Sequence, residues 1–373
     1  MFKPNHDPSI QNAWPKDKPY IVLEHIIKTF KTTAGETPVL KDINIEVLKG
    51  EFVSVVGRSG SGKSTLANMI TGIDHPTSGT IRVGNTVLNG MAESPMSIWR
   101  GKNLGIVFQF FQLLPMLSLV ENVMLPMDFS NYHDPADREK EALALLEKVG
   151  LSEHAFLQPS AISGGQQQST AIARALANDP PIIIADEPTG NLDSKTAESV
   201  MQLFEELAGQ GKTILMVTHD NSLANRTNRK LVIADGELIN ESISHAFPEL
   251  DHTNLLDLSH LAKPVQFKPD QAGEILPRDP YVLQITSGSL KATDSTMDLP
   301  GDPAMLNRQF MVGPTSSEIQ FLPDPNGIVH GLIYPKEPFF QLTEMTMDQV
   351  GASSKSNRPF FARFFGQVGR GIA

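Results

Sequence analysis

The alternation of apolar and polar positions divides the chain into two parts. From Tyr20 onward, short apolar runs alternate with segments of helical spacing: YIVLEHIIKTF predicts strand, whereas KSTLANMITGI has Leu66, Met69 and Ile70 three and four residues apart. The runs PPIIIADEP and KTILMVTHD are short and apolar, as buried strands of a parallel sheet are. This alternation of strands and helices predicts an α/β domain. It stops near residue 242, where the first part ends.

Three further segments of the first part have interpretable patterns. Residues 134–158 are rich in Ala, Leu and Glu and are predicted to form a helix, and a second helix, QQQSTAIARALAN, is predicted after the SGG at 163–165. LVIADGELI predicts a hairpin around its Asp-Gly pair, because these residues suit a tight two-residue turn. Residues 1–19, rich in Pro, Asn and Asp, are expected to be a loose leader.

The second part, residues 245–373, is rich in Pro, Gly and Phe, with short strand-like runs and one candidate helix at 254–262. We expect a smaller, β-rich C-terminal domain. The stretch DLSHLAKPVQFKPDQAGEILPRDPYVLQITSGSLKAT resembles the opening of a cyclic-nucleotide-binding β-roll. Because the Gly-Glu…Arg cassette that holds a cyclic phosphate is missing from it, its nucleotide site would be degenerate. Another small β-domain and a mostly disordered tail are the alternatives.

The end of the chain, RPFFARFFGQVGRGIA, pairs four phenylalanines with three arginines. One interpretation is an amphipathic segment that touches a membrane or a membrane protein. The other is a floppy terminus, which the glycines favour because glycine destabilises a helix.

Composition narrows the classes of function. A chain of 373 residues is long enough for two domains, and its net charge of −11 argues against a protein that binds nucleic acid by neutralising phosphates. The sequence contains no cysteine, which excludes disulfides and thiol chemistry. The first residues lack the apolar core of a signal peptide, and we find no run of about 20 apolar residues that would span a membrane. A soluble or peripheral protein is therefore expected.

The stretch GRSGSGKST, residues 57–65, lies between the predicted strand EFVSVV and the predicted helix. Its spacing, Gly-x4-Gly-Lys-Ser, fits the P-loop, in which small residues let backbone N–H groups converge on phosphate oxygens and a helix N-terminus adds positive potential. Lys63 would reach the outer phosphates, and the Ser64 hydroxyl would bind Mg²⁺. A glycine-rich turn without function is the alternative, which the strand–loop–helix context disfavours.

A candidate metal ligand and base follow the apolar strand IIIA. A nucleotide hydrolase needs a carboxylate that organises the metal and a group that positions water. Asp186 is expected to hold Mg²⁺ through water, and Glu187 to act as general base. An Asp-Glu pair after a strand is more often a solvated loop when it stands alone, but the P-loop upstream reverses that preference.

Further motifs resemble one family, the ATP-binding cassette (ABC) ATPases. SGGQQQ at 163–168, DEPTGNLDS at 186–194 and VTHD at 217–220 are similar to its signature, Walker B and switch motifs. LGIVFQFFQLLPMLSLVENVMLP at 104–126 resembles the Gln-loop region of the lipoprotein-releasing, macrolide-exporting and cell-division-type subgroup. The resemblance spans residues 20–242 and implies a P-loop NTPase with a mixed sheet core, an antiparallel β subdomain and a helical subdomain.

The resemblance also implies roles for individual residues. Phe30 would stack on adenine, although a core position is its alternative. Gln109 would contact Mg²⁺ and the attacking water, and His219 would hydrogen-bond the γ-phosphate unless it is merely structural. Glu187, His219 and Gln109 are therefore the expected catalytic set, and the expected metal ligands are Ser64, Gln109 and Asp186.

The remaining implied contacts form two groups. The P-loop residues expected to bind ATP are Gly57, Arg58, Ser59, Gly60, Ser61, Gly62, Lys63, Ser64 and Thr65. The signature residues expected to contact the ATP of another subunit are Ser163, Gly164, Gly165 and Gln166. Asp193 would connect the two sites across the dimer.

This division of the site has consequences for assembly and location. Because one chain supplies two halves of different sites, hydrolysis implies a head-to-tail homodimer that binds ATP and Mg²⁺. The family further implies an integral-membrane permease as partner and a cytoplasmic protein peripheral to the membrane, and the net charge of −11 implies that nucleic acid is not a partner. Ser169 and Thr170 depart from the subgroup's usual Arg and apolar residue, which removes a positive charge from the signature helix and leaves the ATP-contacting residues unchanged. A nucleotide-gated regulatory or scaffold ATPase is the alternative function.

Overall fold

The chain forms two compact units that divide between Leu238 and Ile239. The computed structural model describes residues 14–15, 17–33, 35–130, 133–190, 192–267, 281–287, 290–292, 309–313, 321–323 and 329–343. Most of the predicted leader and the whole terminal Phe-rich segment lie outside the described residues.

An antiparallel sheet of four strands opens the first unit, in the order β2-β1-β4-β5. The long strands β1 and β2 form a hairpin, and β4 pairs with the other edge of β1. The four strands are β1 (Pro19–Thr32), β2 (Gly35–Leu48), β4 (Ser78–Val83) and β5 (Thr86–Val87).

A second sheet carries the predicted buried strands. Its order is β10-β9-β3-β8-β7-β6, and all neighbours are parallel except the terminal hairpin β9–β10. That hairpin turns at Asp235 and Gly236, both with positive φ, which confirms the predicted Asp-Gly turn. The strands are β3 (Phe52–Val56), β6 (Leu104–Val107), β7 (Ile182–Asp186), β8 (Thr213–Thr218), β9 (Arg229–Ala234) and β10 (Glu237–Leu238).

Helices connect these strands and also form a separate helical region. α3, α4 and α5 of that region pack around buried leucines, valines and alanines, among them Leu119, Leu146 and Ala173. The helices of the first unit are α1 (Lys63–Ile70), α2 (Glu93–Asn103), α3 (Leu119–Ser130), α4 (Arg138–Lys148), α5 (Gly164–Ala175), α6 (Ser194–Gly209) and α7 (Asn221–Ala224).

The predicted helix over 134–158 was wrong in extent. Its helical part is only Arg138–Lys148, because Gly150 has φ +73°, a left-handed conformation that ends a helix. A short 3₁₀ turn, Ser152–His154, follows. The predicted signature helix is confirmed, although it begins earlier than expected, at Gly164, because Ser163 caps it.

The two faces of the parallel sheet are buried in different ways. One face packs against the antiparallel sheet and α1, where Ile21, Leu66 and Val55 belong to one apolar cluster. The other face packs against α5 and α6, whose Phe204 meets Phe52 edge to face at 6.3 Å between ring centroids. Burial on both faces explains why β3, β7 and β8 are almost continuously apolar.

The second unit contains an antiparallel sheet in the order β11-β16-β12-β14 and a two-stranded pair, β13–β15, among its described residues. The candidate helix at 254–262 is confirmed at slightly different bounds. The β-roll stays a prediction. The elements are α8 (Glu241–Ala246), α9 (His252–Leu261), β11 (Lys263–Phe267), β12 (Tyr281–Ser287), β13 (Leu290–Ala292), β14 (Gln309–Gly313), β15 (Phe321–Pro323), β16 (Val329–Pro335) and α10 (Lys336–Thr343).

The buried polar groups at the centre of this second unit are paired. The Tyr334 hydroxyl donates to Gln284 Oε1, and Gln284 Nε2 donates to the Ser242 carbonyl at 3.0 Å. Burial raises the pKa of Tyr334 well above its usual range. Within the described ranges of the whole chain, no helix has the length and apolar character needed to cross a membrane.

Candidate nucleotide-binding site

The loop 57–62 connects β3 to α1 and depends on glycine at two positions. Gly62 has φ +103°, which side-chain-bearing residues rarely adopt. A Cβ on Gly57 would lie 2.3 Å from the Ile233 carbonyl oxygen, so the loop can pass β9 only without a side chain there. Since Gly62 provides no side-chain cap, the first N–H groups of α1 remain available to an anion at the loop.

Lys63 is the positively charged group of this loop. Its side chain is 7% exposed, and its ammonium donates to the carbonyls of Gly57 at 2.8 Å and Arg58 at 2.9 Å. Burial lowers the pKa of Lys63, while the nearby Glu187 and Asp186 carboxylates act in the opposite direction. The lysine is therefore anchored to the loop and faces the two acidic residues at the end of β7.

Asp186 and Ser64 form a pair suited to Mg²⁺. Burial raises the pKa of the Asp186 carboxyl, and a hydrogen bond from the Ser64 hydroxyl opposes that shift. Asp186 Oδ1 and Ser61 Oγ are buried and have no hydrogen-bond partner among the described residues. Buried polar atoms are rarely left unpaired, so these two oxygens fit a site that takes a metal ion and a phosphate.

The ligand chemistry favours magnesium. In the described part of the chain, no three His, Asp or Glu side chains come close enough to hold a metal ion by themselves. Mg²⁺ suits this arrangement because it keeps several waters and binds through one or two carboxylates plus the phosphates of a substrate. Ser64 and Asp186 would hold it here.

Glu187 and His219 form a hydrogen-bonded pair beside this group. His219 Nδ1 lies 2.8 Å from Glu187 Oε2, and the carboxylate side chain is 17% exposed whereas the imidazole is 64% exposed. Glu187 adopts φ +47°, a strained backbone conformation for a residue with a side chain. Its N–H donates to the Val217 carbonyl at 2.9 Å, which holds this turn against β8. Strained residues of this kind cluster at functional sites.

Topology places the strand-end residues at one edge. β3, β6, β7 and β8 are parallel, so the P-loop, Gln109, Glu187 and His219 all follow carboxyl ends of strands at the same side of the sheet. Ligands of parallel sheets bind at this side. Gln109 itself is exposed, and it belongs to the segment that follows the edge strand β6.

Phe30 lies on the antiparallel sheet, on β1, and its side chain is 40% exposed. The alternative of a core position is therefore wrong. The Lys28 ammonium lies 4.7 Å from the centroid of the Phe30 ring. Lys28 was not among the predicted site residues, although its closeness to Phe30 in the sequence was a usable signal.

The signature residues belong to the helical region. Ser163 caps α5: its Oγ accepts from the Gln166 N–H at 3.3 Å, and its own N–H donates to Gln166 Oε1 at 2.9 Å. Ser163 and Gly164 are exposed. The His154 Nε2 atom lies 3.4 Å from the side-chain amide nitrogen of Gln166. The capping box fixes the shape of the motif and leaves Ser163 and Gly164 on the surface.

Asp193 caps α6 in a similar way. Its carboxylate accepts from the N–H groups of Lys195 and Thr196 at 3.0 and 3.1 Å and from the Thr196 hydroxyl at 2.7 Å. The Thr196 hydroxyl is the main reason that the pKa of Asp193 is lowered. Asp193 is exposed, so the hydrogen bonds to its own helix leave it at the surface.

Sequence reasoning also missed Arg174, which joins the signature helix to the segment after Gln109. Its guanidinium donates to the carbonyls of Phe111 at 2.8 Å and Gln112 at 2.6 Å. At the other end of α5, the Phe111 ring lies 3.8 Å from where a Cβ on Gly164 would be. A single arginine in a helical run of alanine, isoleucine and leucine gave no signal for this contact.

The two departures from the subgroup pattern lie inside α5. Ser169 and Thr170 are buried, and the Thr170 hydroxyl donates to the Gln166 carbonyl at 2.8 Å. Thr170 is accommodated at its fully buried position because this internal hydrogen bond pairs its hydroxyl.

Comparisons with known proteins agree with this geometry. The profile of the family described as ABC transporter matches residues 40–190. The uncharacterized ABC transporter ATP-binding protein YvrO of Bacillus subtilis is 45% identical over 229 residues, which cover 61% of this chain and 100% of that protein. The lipoprotein-releasing system ATP-binding protein LolD of Bacteroides thetaiotaomicron is 43% identical and covers 58% of this chain and 98% of its own length.

A solved structure of an ATP-binding cassette is also similar to this chain. The dimeric ATP-binding cassette MJ0796 of Methanocaldococcus jannaschii, bound to ADP and Pi in a post-hydrolysis state, has a TM-score of 0.57 and 43% sequence identity. The match covers 58% of this chain and 96% of that one. YvrO is matched over its whole length at 45% identity, and the phosphate loop, the acidic pair and the signature helix lie in the expected elements. This chain therefore belongs to the ATP-binding proteins of the ABC transporter family.

Proposed function

We propose that two copies of this chain bind MgATP head to tail, hydrolyse it, and thereby drive a separate membrane permease from the cytoplasmic face. In each composite site, one copy contributes the phosphate loop and the residues after β7 and β8. The other copy contributes Ser163, Gly164, Gly165 and Gln166. Asp193 links the two sites.

The observation that carries this proposal is the contrast in burial between the two sets of residues. Lys63 and Asp186 lie in a largely enclosed cluster with two unpaired buried oxygens, whereas Ser163 and Gly164 are exposed at the start of a helix in another region. An exposed helix N-terminus with small residues suits a phosphate that arrives from outside the chain. A second copy can present such a phosphate.

The phosphate loop and the acidic pair divide the chemistry. The α1 N-terminus and Lys63 would hold the phosphates, and Ser64 and Asp186 would hold Mg²⁺, which neutralises the charge that develops on the phosphates. Glu187 would accept the proton of the attacking water, with Gln109 helping to position that water. Phe30 would stack on the adenine ring.

The hydrogen bond between His219 and Glu187 limits how the histidine can act. A neutral imidazole has one N–H, and donation of that hydrogen from Nδ1 to Glu187 leaves Nε2 as an acceptor. His219 can therefore donate to the γ-phosphate only when it carries both hydrogens or when it releases Glu187. Either event would connect phosphate binding to the orientation of the general base.

Relatives support the permease as partner. LolD is named for a lipoprotein-releasing system, and the macrolide export proteins MacB, which are 40–45% identical over the matched part, combine ATP-binding and permease functions in one chain. In the present chain, the permease would be a separate subunit.

A complementation experiment tests the composite site. Lys63→Ala and Ser163→Arg should each abolish MgATP hydrolysis. When the two variants are mixed, half of the dimers are mixed dimers, and each contains one intact site. We expect recovery of about a quarter of the wild-type rate if the two sites act independently.

The matched control is a mixture of Lys63→Ala with Glu187→Gln. Both changes affect the phosphate-loop half, so no intact site can form, and the rate should stay at background. Equal recovery in both mixtures, or no recovery in the first, would contradict the head-to-tail arrangement.

A further inference from the structure

The Phe30 ring has two faces, and the structure treats them differently. Lys28 and Phe30 are two residues apart on β1, where the pairing with β2 shifts register between Lys28 and Thr29. The Lys28 ammonium is 4.7 Å from the ring centroid, which is within the range of a cation–π contact. The side chain of Phe30 nevertheless stays 40% exposed.

Lys28 is held in this position by two further contacts. Its ammonium donates to Asp74 Oδ1 at 2.6 Å and to the His75 carbonyl at 2.7 Å, and its side chain is only 11% exposed. Asp74 in turn accepts from the His75 N–H at 2.7 Å. A partly buried charge with this many partners has little freedom to leave the ring.

These contacts also connect the ring to the phosphate loop. Asp74 and His75 belong to the segment after α1, the helix that begins at Lys63. The Asp74 N–H donates to the Asn68 carbonyl of that helix at 3.2 Å. Lys28 therefore joins β1, which carries Phe30, to the helix whose N-terminus faces the phosphates.

We infer that Lys28 is a positioning residue for the nucleotide base: its anchored ammonium covers one face of Phe30 and directs a purine to the opposite face. This inference rests on the proposed stacking of adenine on Phe30. A cation on one face of an aromatic ring and a base on the other make compatible demands, because the cation attracts the ring's electron-rich face and the base needs only a free π-surface.

The experiment compares two ligands that share phosphates and differ in the base. Binding of MgATP and of magnesium tripolyphosphate to the full chain is measured by calorimetry for the wild type, Phe30→Ala, Lys28→Met and Lys28→Arg. Phe30→Ala should weaken ATP binding by about 5- to 100-fold, as loss of one stacked base does. Lys28→Met should weaken it by about 2- to 10-fold, because a Phe30 ring that is no longer held must be immobilised when the base binds.

Neither change should alter tripolyphosphate binding, because that ligand has no base. Lys28→Arg should restore most of the ATP affinity, since a guanidinium can also cover an aromatic face. In hydrolysis assays, Lys28→Met should raise KM and leave kcat unchanged. The control is Lys31→Met on the same strand, where the lysine is 81% exposed and lies 3.2 Å from Glu36; it should affect neither ligand.

The outcomes distinguish failure of the proposed base stacking on Phe30 from failure of the inference about Lys28. If Phe30→Ala leaves ATP affinity unchanged, the proposed base stacking is wrong, and the inference about Lys28 is wrong with it. If Phe30→Ala weakens ATP binding and Lys28→Met does not, only the inference about Lys28 is wrong. An equal loss of ATP and tripolyphosphate binding in Lys28→Met would also overturn the inference, because Lys28 would then act on the phosphates or on the fold.

Discussion

The phosphate-loop region and the signature region of this chain are built on different principles. In the first, Lys63 meets the adjacent residues Asp186 and Glu187, which lie far from it in the sequence, at the edge of the parallel sheet. Buried oxygens there are left unpaired. In the second, Ser163 and Asp193 pair with the first turns of their own helices and remain at the surface. The first region encloses polar atoms that have no partner in the described chain, and the second leaves two capped helix N-termini at the surface.

The largest effect should come from the buried region. Glu187→Gln removes the proposed general base, so we expect kcat for MgATP hydrolysis to fall by about 10²- to 10⁴-fold. The amide is the same size as the carboxylate, so ATP binding should be retained and a dimer should accumulate with ATP, which gel filtration measures. Glu206→Gln changes an exposed carboxylate on α6 and should alter neither property.

A smaller loss is expected at the exposed signature. Ser163→Gly removes the hydroxyl but keeps a residue that helix caps tolerate well. Loss of a hydrogen bond to a charged phosphate should reduce kcat by about 10- to 100-fold. ATP binding to a single chain, measured at concentrations below dimerisation, should be unchanged. If Ser163→Gly weakened that binding as Lys63→Ala does, the two regions would not be separate halves of the site. Ser160→Ala in the preceding turn is the control.

Arg174 connects the two regions and gives the next prediction. Arg174→Met would leave the Phe111 and Gln112 carbonyls without their donor. Loss of these two hydrogen bonds to a charged group, at acceptors that are part-buried or exposed, should lower the free energy of unfolding by about 1–3 kcal/mol, which urea denaturation measures. Lys140→Met, at an exposed position of α4, should change it little. An Arg174→Met protein as stable as the wild type would mean that water replaces the guanidinium and that this contact does not stabilise the junction.

The smallest effect should come from the helix cap at Asp193. Asp193→Ala should lower Tm by about 1–4 °C at pH 7, as the loss of an N-cap does. The pKa of Asp193 is lowered in the folded chain, mainly by the Thr196 hydroxyl. The stabilisation is therefore present above the unfolded pKa of about 3.9 and is lost as the pH falls through the lower folded pKa.

Thermal unfolding of both proteins as a function of pH checks this sign. The difference in Tm should be constant between pH 7 and 5 and should shrink below about pH 3.9. A difference that grew on acidification would show that the carboxylate is not the group that stabilises α6.

Several parts of the fold and the site could be predicted because their determinants are local. The P-loop needs glycines, a lysine and a hydroxyl within nine consecutive residues, 57–65, and a strand and helix on either side. The acidic pair lies at the end of an apolar strand, and the Asp-Gly turn of β9–β10 is encoded by two residues. The ends of the helices were harder to predict. Gly150 ends α4 and Ser163 caps α5 at positions that the apolar pattern does not indicate.

By itself, the sequence determined the order of the motifs, the family and the chemical types of the site residues, since these depend on neighbouring positions in the chain. Only the tertiary structure decided which distant groups meet. Lys28 reaches Asp74 across 46 residues, Arg174 reaches Phe111 across 63, and Glu187 reaches His219 across 32. Such contacts depend on which strands lie side by side and which helix packs on which loop, and no local pattern of residues specifies that.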